Sequence, residues 1–156
     1  MFGSACSYKI INNVHSKQEV LVESVPSGSN IFINGEFLGK TPMILSLRSD
    51  ISHKINFHKE GFKATCEYLD PIYKYDKKPY VRFGLAKDLG YYYKLSSDHI
   101  VAQLHWEPLP ISVGVMPFET MSELISKADK AKLSGNLSSD EHKLIMRQII
   151  EMFNSK

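Results

Sequence analysis

The chain has 156 residues, 43% hydrophobic and 23% charged, which is enough apolar material for a buried core and excludes wholesale disorder. Nineteen basic residues against seventeen acidic ones leave a net charge of +2, which excludes a global electrostatic drive toward nucleic acid or anionic membrane. Two cysteines, Cys6 and Cys66, make no disulfide framework, and no apolar run is long enough for a transmembrane helix.

In chain order, the opening Met1-Phe2-Gly3-Ser4-Ala5-Cys6 is too short and uncharged for a signal peptide. Residues 1–18 read as an N-terminal tether. Glu19–Ser24 is β-favouring and ends at Pro26-Ser27-Gly28-Ser29-Asn30, where proline and glycine suit a chain reversal. Ile31–Ile33 and Glu36–Leu38 flank Asn34-Gly35, the dipeptide that best accommodates the two positive φ angles of a type I′ hairpin. Gly39-Lys40-Thr41-Pro42 punctuates the chain again, with Pro42 fixing the entry to a strand at Met43–Leu47.

Arg48-Ser49-Asp50 is the next turn. From His53 to His58, Ile55 and Phe57 fall on one face and Lys54 and Asn56 on the other, the pattern of a half-buried antiparallel strand. Lys59-Glu60-Gly61 turns the chain back. Phe62–Leu69 alternates with Ala64, Cys66 and Tyr68 together, so Cys66 is expected as a small buried hydrophobe. Short strands between Gly and Pro turns predict sheet packed on sheet.

Residues 71–94 interleave Tyr73, Tyr75, Tyr80, Phe83, Tyr91, Tyr92 and Tyr93 with Lys74, Lys77, Lys78, Arg82, Lys87 and Lys94, against only Asp76 and Asp88. Lys74, Tyr75, Lys77, Lys78, Tyr80, Arg82, Lys87 and Tyr92 form the candidate contact surface, because rings stack and ammonium groups neutralise anions. Packing of Tyr80, Phe83 and part of Tyr91–Tyr93 into the core is the competing reading. Ile100–Leu104 is a closing strand, and 106–117 is a Pro-rich connector. Thr120-Met-Ser-Glu123 and Ser138-Ser-Asp-Glu141 read as two capping boxes that start the helices of a C-terminal hairpin, 118–156, with Gly135-Asn136 between them.

Ser24-Val-Pro26-Ser-Gly28-Ser29, Ile31-Phe-Ile-Asn34-Gly35-Glu36, Gly39-Lys-Thr41-Pro42 and Lys59-Glu-Gly61-Phe62 occur in the order and spacing of a PEGA domain, which the stretch from Val20 to about Leu69 resembles. Ser29 replaces the usual Ala and Phe62 the usual Tyr. Tyr93-Lys94-Leu95-Ser96 before Ile100–Leu104 extends the resemblance to small bacterial PEGA-containing lipoproteins, although their insert is often apolar and this one is basic and aromatic. The resemblance implies a small antiparallel β-sandwich-like module over 19–105, with 71–94 as an insert, followed by the helical hairpin. It also implies that Cys6 is a candidate lipidation site, with Ser4-Ala5 as the small residues of a lipobox and Gly3 departing from its apolar position.

No chemistry-bearing motif stands out. Gly28, Gly35, Gly39 and Gly61 are spread over turns, not gathered in a phosphate loop. His15, His53, His58, His99, His105 and His142 lack metal-ligand spacing, so neither metal nor cofactor is expected. The expected function is non-catalytic binding or scaffolding in the cell envelope, lipid-anchored and facing the periplasm or surface, with an envelope protein or glycan as partner and self-association through the hairpin. The alternatives are a cytoplasmic protein that binds nucleic acid or another anionic polymer through 71–94, and a hydrolase, which requires a converged acid–base pair.

Overall fold

Alternation between β-branched and polar residues from Lys17 onward sets the inner faces of two sheets. In a computed structural model that describes residues 15–74, 85–110 and 117–154, these strands run β1 Lys17–Val25, β2 Asn30–Ile33, β3 Glu36–Lys40, β4 Met43–Arg48, β5 His53–His58 and β6 Thr65–Leu69. They are followed by β7 Pro71–Tyr73, α1 Leu85–Asp88, β8 Tyr93–Leu95, β9 His99–Gln103, α2 Pro117–Leu133 and α3 Ser139–Asn154. The predicted class, a mainly β module followed by a C-terminal helical hairpin, is what the chain forms.

One sheet has the order β4-β1-β9, the other β3-β2-β5-β6, and β7-β8 make a separate ribbon. β1 and β4 are antiparallel with Val20 opposite Leu45 and Val22 opposite Met43. The inward side chains Val20, Val22, Ile31, Ile55, Phe57 and Leu69 are essentially inaccessible and supply the core of the β unit. Packing groups the described residues of Met1–Phe57 and Cys66–Ala102 into this unit, and those of His58–Thr65 and Gln103–Lys156 into a second.

In the second unit, Phe62, Leu104, Trp106, Leu109, Leu124, Ala128, Ile145 and Ile149 are buried. Trp106 falls in the predicted connector, yet it forms an isolated antiparallel bridge with Phe62. Its amide donates to Gln148 Oε1 at 3.1 Å, and Gln148 Nε2 donates to the Leu104 carbonyl at 2.8 Å. One side-chain amide thus satisfies two backbone groups beside an apolar core.

Two expectations are corrected. The first helix begins at Pro117, so Thr120 lies inside its first turn and does not cap it; proline suits this position because its missing N–H has no intrahelical partner there. Cys66, Ala64 and Tyr68 are exposed, and Leu69 is the buried residue of β6. Leu69 anchors the strand by the larger burial, and period 2 then turns Cys66 outward. The second capping box forms as predicted: Ser138 N donates to Glu141 Oε2 at 2.8 Å and Glu141 N to Ser138 Oγ at 3.2 Å. Gly135, at φ 80°, closes α2 with Asn136 N bonded to Ala131 O and Gly135 N to Lys132 O, the Schellman pattern.

Candidate contact surfaces

The turn residues of the β unit converge on a buried polar knot. Ser24, Ser29 and Thr41 are all buried. Ser24 Oγ lies 2.7 Å from the Pro26 carbonyl, 2.9 Å from Ser29 Oγ and 2.6 Å from Thr41 Oγ1. Since a hydroxyl has one proton, Ser24 donating to Pro26 O requires Thr41 to donate to Ser24. Thr41 Oγ1 meanwhile accepts from Ser29 N at 3.0 Å. Backbone bonds from Gly28 N to Thr41 O and from Thr41 N to Ser29 O complete the knot, and the Val25–Pro26 and Thr41–Pro42 peptides are cis. Asn34 and Gly35 have φ 53° and 83°, the type I′ requirement, while Gly39 and Gly61 also have positive φ. These positions hold the turns of the chain in place.

A second polar cluster closes the end of β4. Arg48 grips Asp50 with two bonds, Nε to Oδ1 at 3.0 Å and a terminal nitrogen to Oδ2 at 2.7 Å. The Arg48 hydrogen bond holds the Asp50 carboxyl below its ordinary range, against the opposing effect of burial, and raises Arg48 in turn. Ser49 Oγ donates to the Ser16 carbonyl at 3.1 Å, and Ser16 N donates to Leu89 O at 2.7 Å. The segment after α1 is thereby fastened to the sheet.

Part of the predicted basic aromatic surface lies within the described residues. The β7–β8 ribbon pairs Ile72 with Lys94 and Tyr73 with Tyr93. The Tyr73 ring centroid is 5.7 Å from that of Tyr93, edge-on, and 6.2 Å from that of Tyr92. Lys74 and Lys94 are exposed, Tyr91 is exposed, and Tyr92 and Tyr93 are half-buried. The rings thus cluster with one another at the surface. Tyr75, Lys77, Lys78, Tyr80 and Arg82, together with the Lys87 side chain and Cys6, lie outside the described residues.

A further surface escaped the sequence reading. On the outward face of the four-stranded sheet, Phe32 pairs with Phe37 across β2 and β3, their rings 5.5 Å apart. Lys54 and Asn56 face outward from β5, and Cys66 and Tyr68 from β6. Lys54 Nζ sits 5.8 Å from the Tyr68 ring centroid, a cation over an aromatic face. The signal was the alternation of Phe32 with Ile31 and Ile33, which places an aromatic ring on the solvent side.

Among the described residues no group of three or more His, Cys, Asp or Glu side chains is arranged to hold a metal ion. The titratable pairs serve local structure: Glu23 accepts from His99 at 2.7 Å, and His53 Nε2 is 2.8 Å from the Arg48 carbonyl. A 360 Å³ cleft in the second unit is lined by Lys63, His105, Leu109 and Glu151, with the Lys63 ammonium donating to the Leu109 carbonyl at 2.5 Å. No described helix is long and apolar enough to cross a membrane.

The family model of the PEGA domain matches residues 17–71, and a PEGA domain is identified there. Neither a curated protein nor a solved structure matches the chain.

Proposed function

We propose that this chain is a non-catalytic binding and scaffold module of the bacterial cell envelope that contacts protein or glycan. The observation that carries the reading is a division of labour. The PEGA-type residues Ser24, Ser29 and Thr41 are consumed in a buried network, while aromatic and basic side chains are left at the surface. That is the chemistry of a contact surface. In this reading Cys6 carries a lipid, and the residues between it and β1, which begins at Lys17, tether the module to a membrane facing the periplasm or surface.

The intact mass of the protein expressed from its native gene in a bacterial host tests the location. Cleavage before Cys6 with added acyl chains is the expected result; an unmodified chain with its upstream residues retained overturns it. In this reading the chain self-associates through the helical hairpin, where Phe118 and Leu133, at the two ends of α2, are 84% and 88% exposed. Sedimentation of the full chain against a Phe118→Ser, Leu133→Ser variant reads that out, and an unchanged monomer in both overturns it.

A second reading, binding of nucleic acid or another anionic polymer through 71–94, is favoured by the exposed Lys74 and Lys94 beside the tyrosine cluster. Binding that falls steeply with salt supports it, and binding insensitive to salt removes it.

A further inference from the structure

The outward face of the β3-β2-β5-β6 sheet is chemically one-sided. Its outward positions carry Phe32, Phe37 and Tyr68, the lysines Lys40 and Lys54, and the amides Asn30 and Asn56, with Lys40 opposite Asn30 in register. The four strands contain only two acids, and both belong to the other side: Glu36 pairs with the inward Ile33, and Glu67 alternates with the outward Cys66 and Tyr68. Asp70 falls just past the end of β6. Phe37 is 53% exposed and Tyr68 59%.

The rings stand on either side of β5. From β2 to β6 is two strand spacings, roughly 10 Å, and between them project Lys54 and Asn56. We infer that this face binds an acidic polysaccharide of the uronic-acid type, lying across the strands with pyranose faces against the rings and a carboxylate at Lys54. Two features select that occupant. The lysines, with no carboxylate among the outward positions of the four strands, favour an anion. Each asparagine amide offers both donors and an acceptor, which matches vicinal hydroxyls.

Lys54 Nζ lies 5.8 Å from the Tyr68 ring centroid, so the charge and the ring are close enough to meet the same sugar. The inference deepens the glycan arm of the proposed function and rests on it. Its test runs in solution without membrane, so its failure leaves the envelope location and protein partners standing.

The test is the affinity of the full chain for oligogalacturonate, by calorimetry and affinity electrophoresis. A neutral glucan, poly(dT) and polyglutamate serve as comparison ligands. Oligogalacturonate is expected to bind, and the neutral glucan to bind more weakly. Phe37→Ala and Tyr68→Ala are expected to weaken binding roughly three- to tenfold each, and Lys54→Gln roughly two- to fivefold. Tyr68→Phe, which keeps the ring, retains most of the affinity. Ile44→Ala, an exposed position on the other sheet, changes nothing and shows that a folded variant binds normally. No binding of oligogalacturonate, equal binding by all variants, or tighter binding of poly(dT) or polyglutamate overturns the inference.

Discussion

Gly90 approaches Asp50 so closely that a Cβ placed on it lies 2.7 Å from Asp50 Cβ and 2.9 Å from Cγ. Gly90 also has φ +76°, a conformation that side chains with a Cβ rarely adopt. Both effects oppose any larger residue. Gly90→Ala is expected to cost about 2–4 kcal/mol, combining left-handed strain with displacement of a side chain clamped by Arg48. Chemical denaturation measures it, and a loss under about 1 kcal/mol contradicts the close approach.

Gly35 makes the complementary case. Its φ is +83°, yet a Cβ there meets no atom within 4 Å. Gly35→Ala should therefore cost only the conformational part, about 1–2 kcal/mol. Gly35→Val, with its β-branch, should cost more. Unchanged melting temperature in Gly35→Val would contradict the type I′ turn.

Thr41→Val removes one hydroxyl while keeping the shape of the side chain. It strands the buried Ser29 amide and takes a partner from Ser24. A loss of about 1–3 kcal/mol is expected, with Thr41→Ser restoring most of it. Equal stability of the Val and Ser variants would show that the knot contributes shape alone.

Asp50 gives the fold an acid limb. Its carboxyl is held low chiefly by the Arg48 hydrogen bond, so the folded state favours the ionised form more than the unfolded chain does. That stability is fully present above the ordinary aspartate value of about 3.9 and is lost as pH falls through the lower folded value. Glu141 behaves likewise: burial pushes it up, but hydrogen bonds from Ser138 and Lys59 bring it below its usual range. Unfolding free energies measured by denaturant across the acid range should fall less steeply in Asp50→Asn than in the parent. An identical acid slope would show that Arg48 does not stabilise the carboxylate in solution.

Ser138→Ala tests the hairpin. It deletes the acceptor for Glu141 N and should cost about 1 kcal/mol. Loss of hydrogen-exchange protection confined to the start of α3 is the expected pattern; protection unchanged there argues against the cap.

Most of the β unit was legible from short-range rules. The Asn34-Gly35 hairpin and the inward pair Ile55 and Phe57 each follow from two or three neighbouring residues. What stayed hidden depended on distant partners. Trp106 reads as connector because its partners Phe62 and Gln148 lie far along the chain. Cys66 reads as core because local alternation fixes which residues share a face without fixing which face is inside. The proposed contact surface is harder still to read. Composition singled out 71–94, whereas Phe32, Phe37, Lys54 and Tyr68 become neighbours only once four strands are laid side by side.

The grouping of His58–Thr65 with Gln103–Lys156 bears on how the polypeptide can be cut and how it is built. The chain passes from one unit to the other at three places, so a single protease nick cannot liberate both units intact. Removing everything after Gln103 strips Phe62 of Trp106, and Lys59 of Glu141 at 2.9 Å. On the ribosome, the 58–65 segment emerges well before the partners that complete its unit. Its apolar side chain must wait for them, a non-local closure that slows folding and leaves an interval open to chaperones.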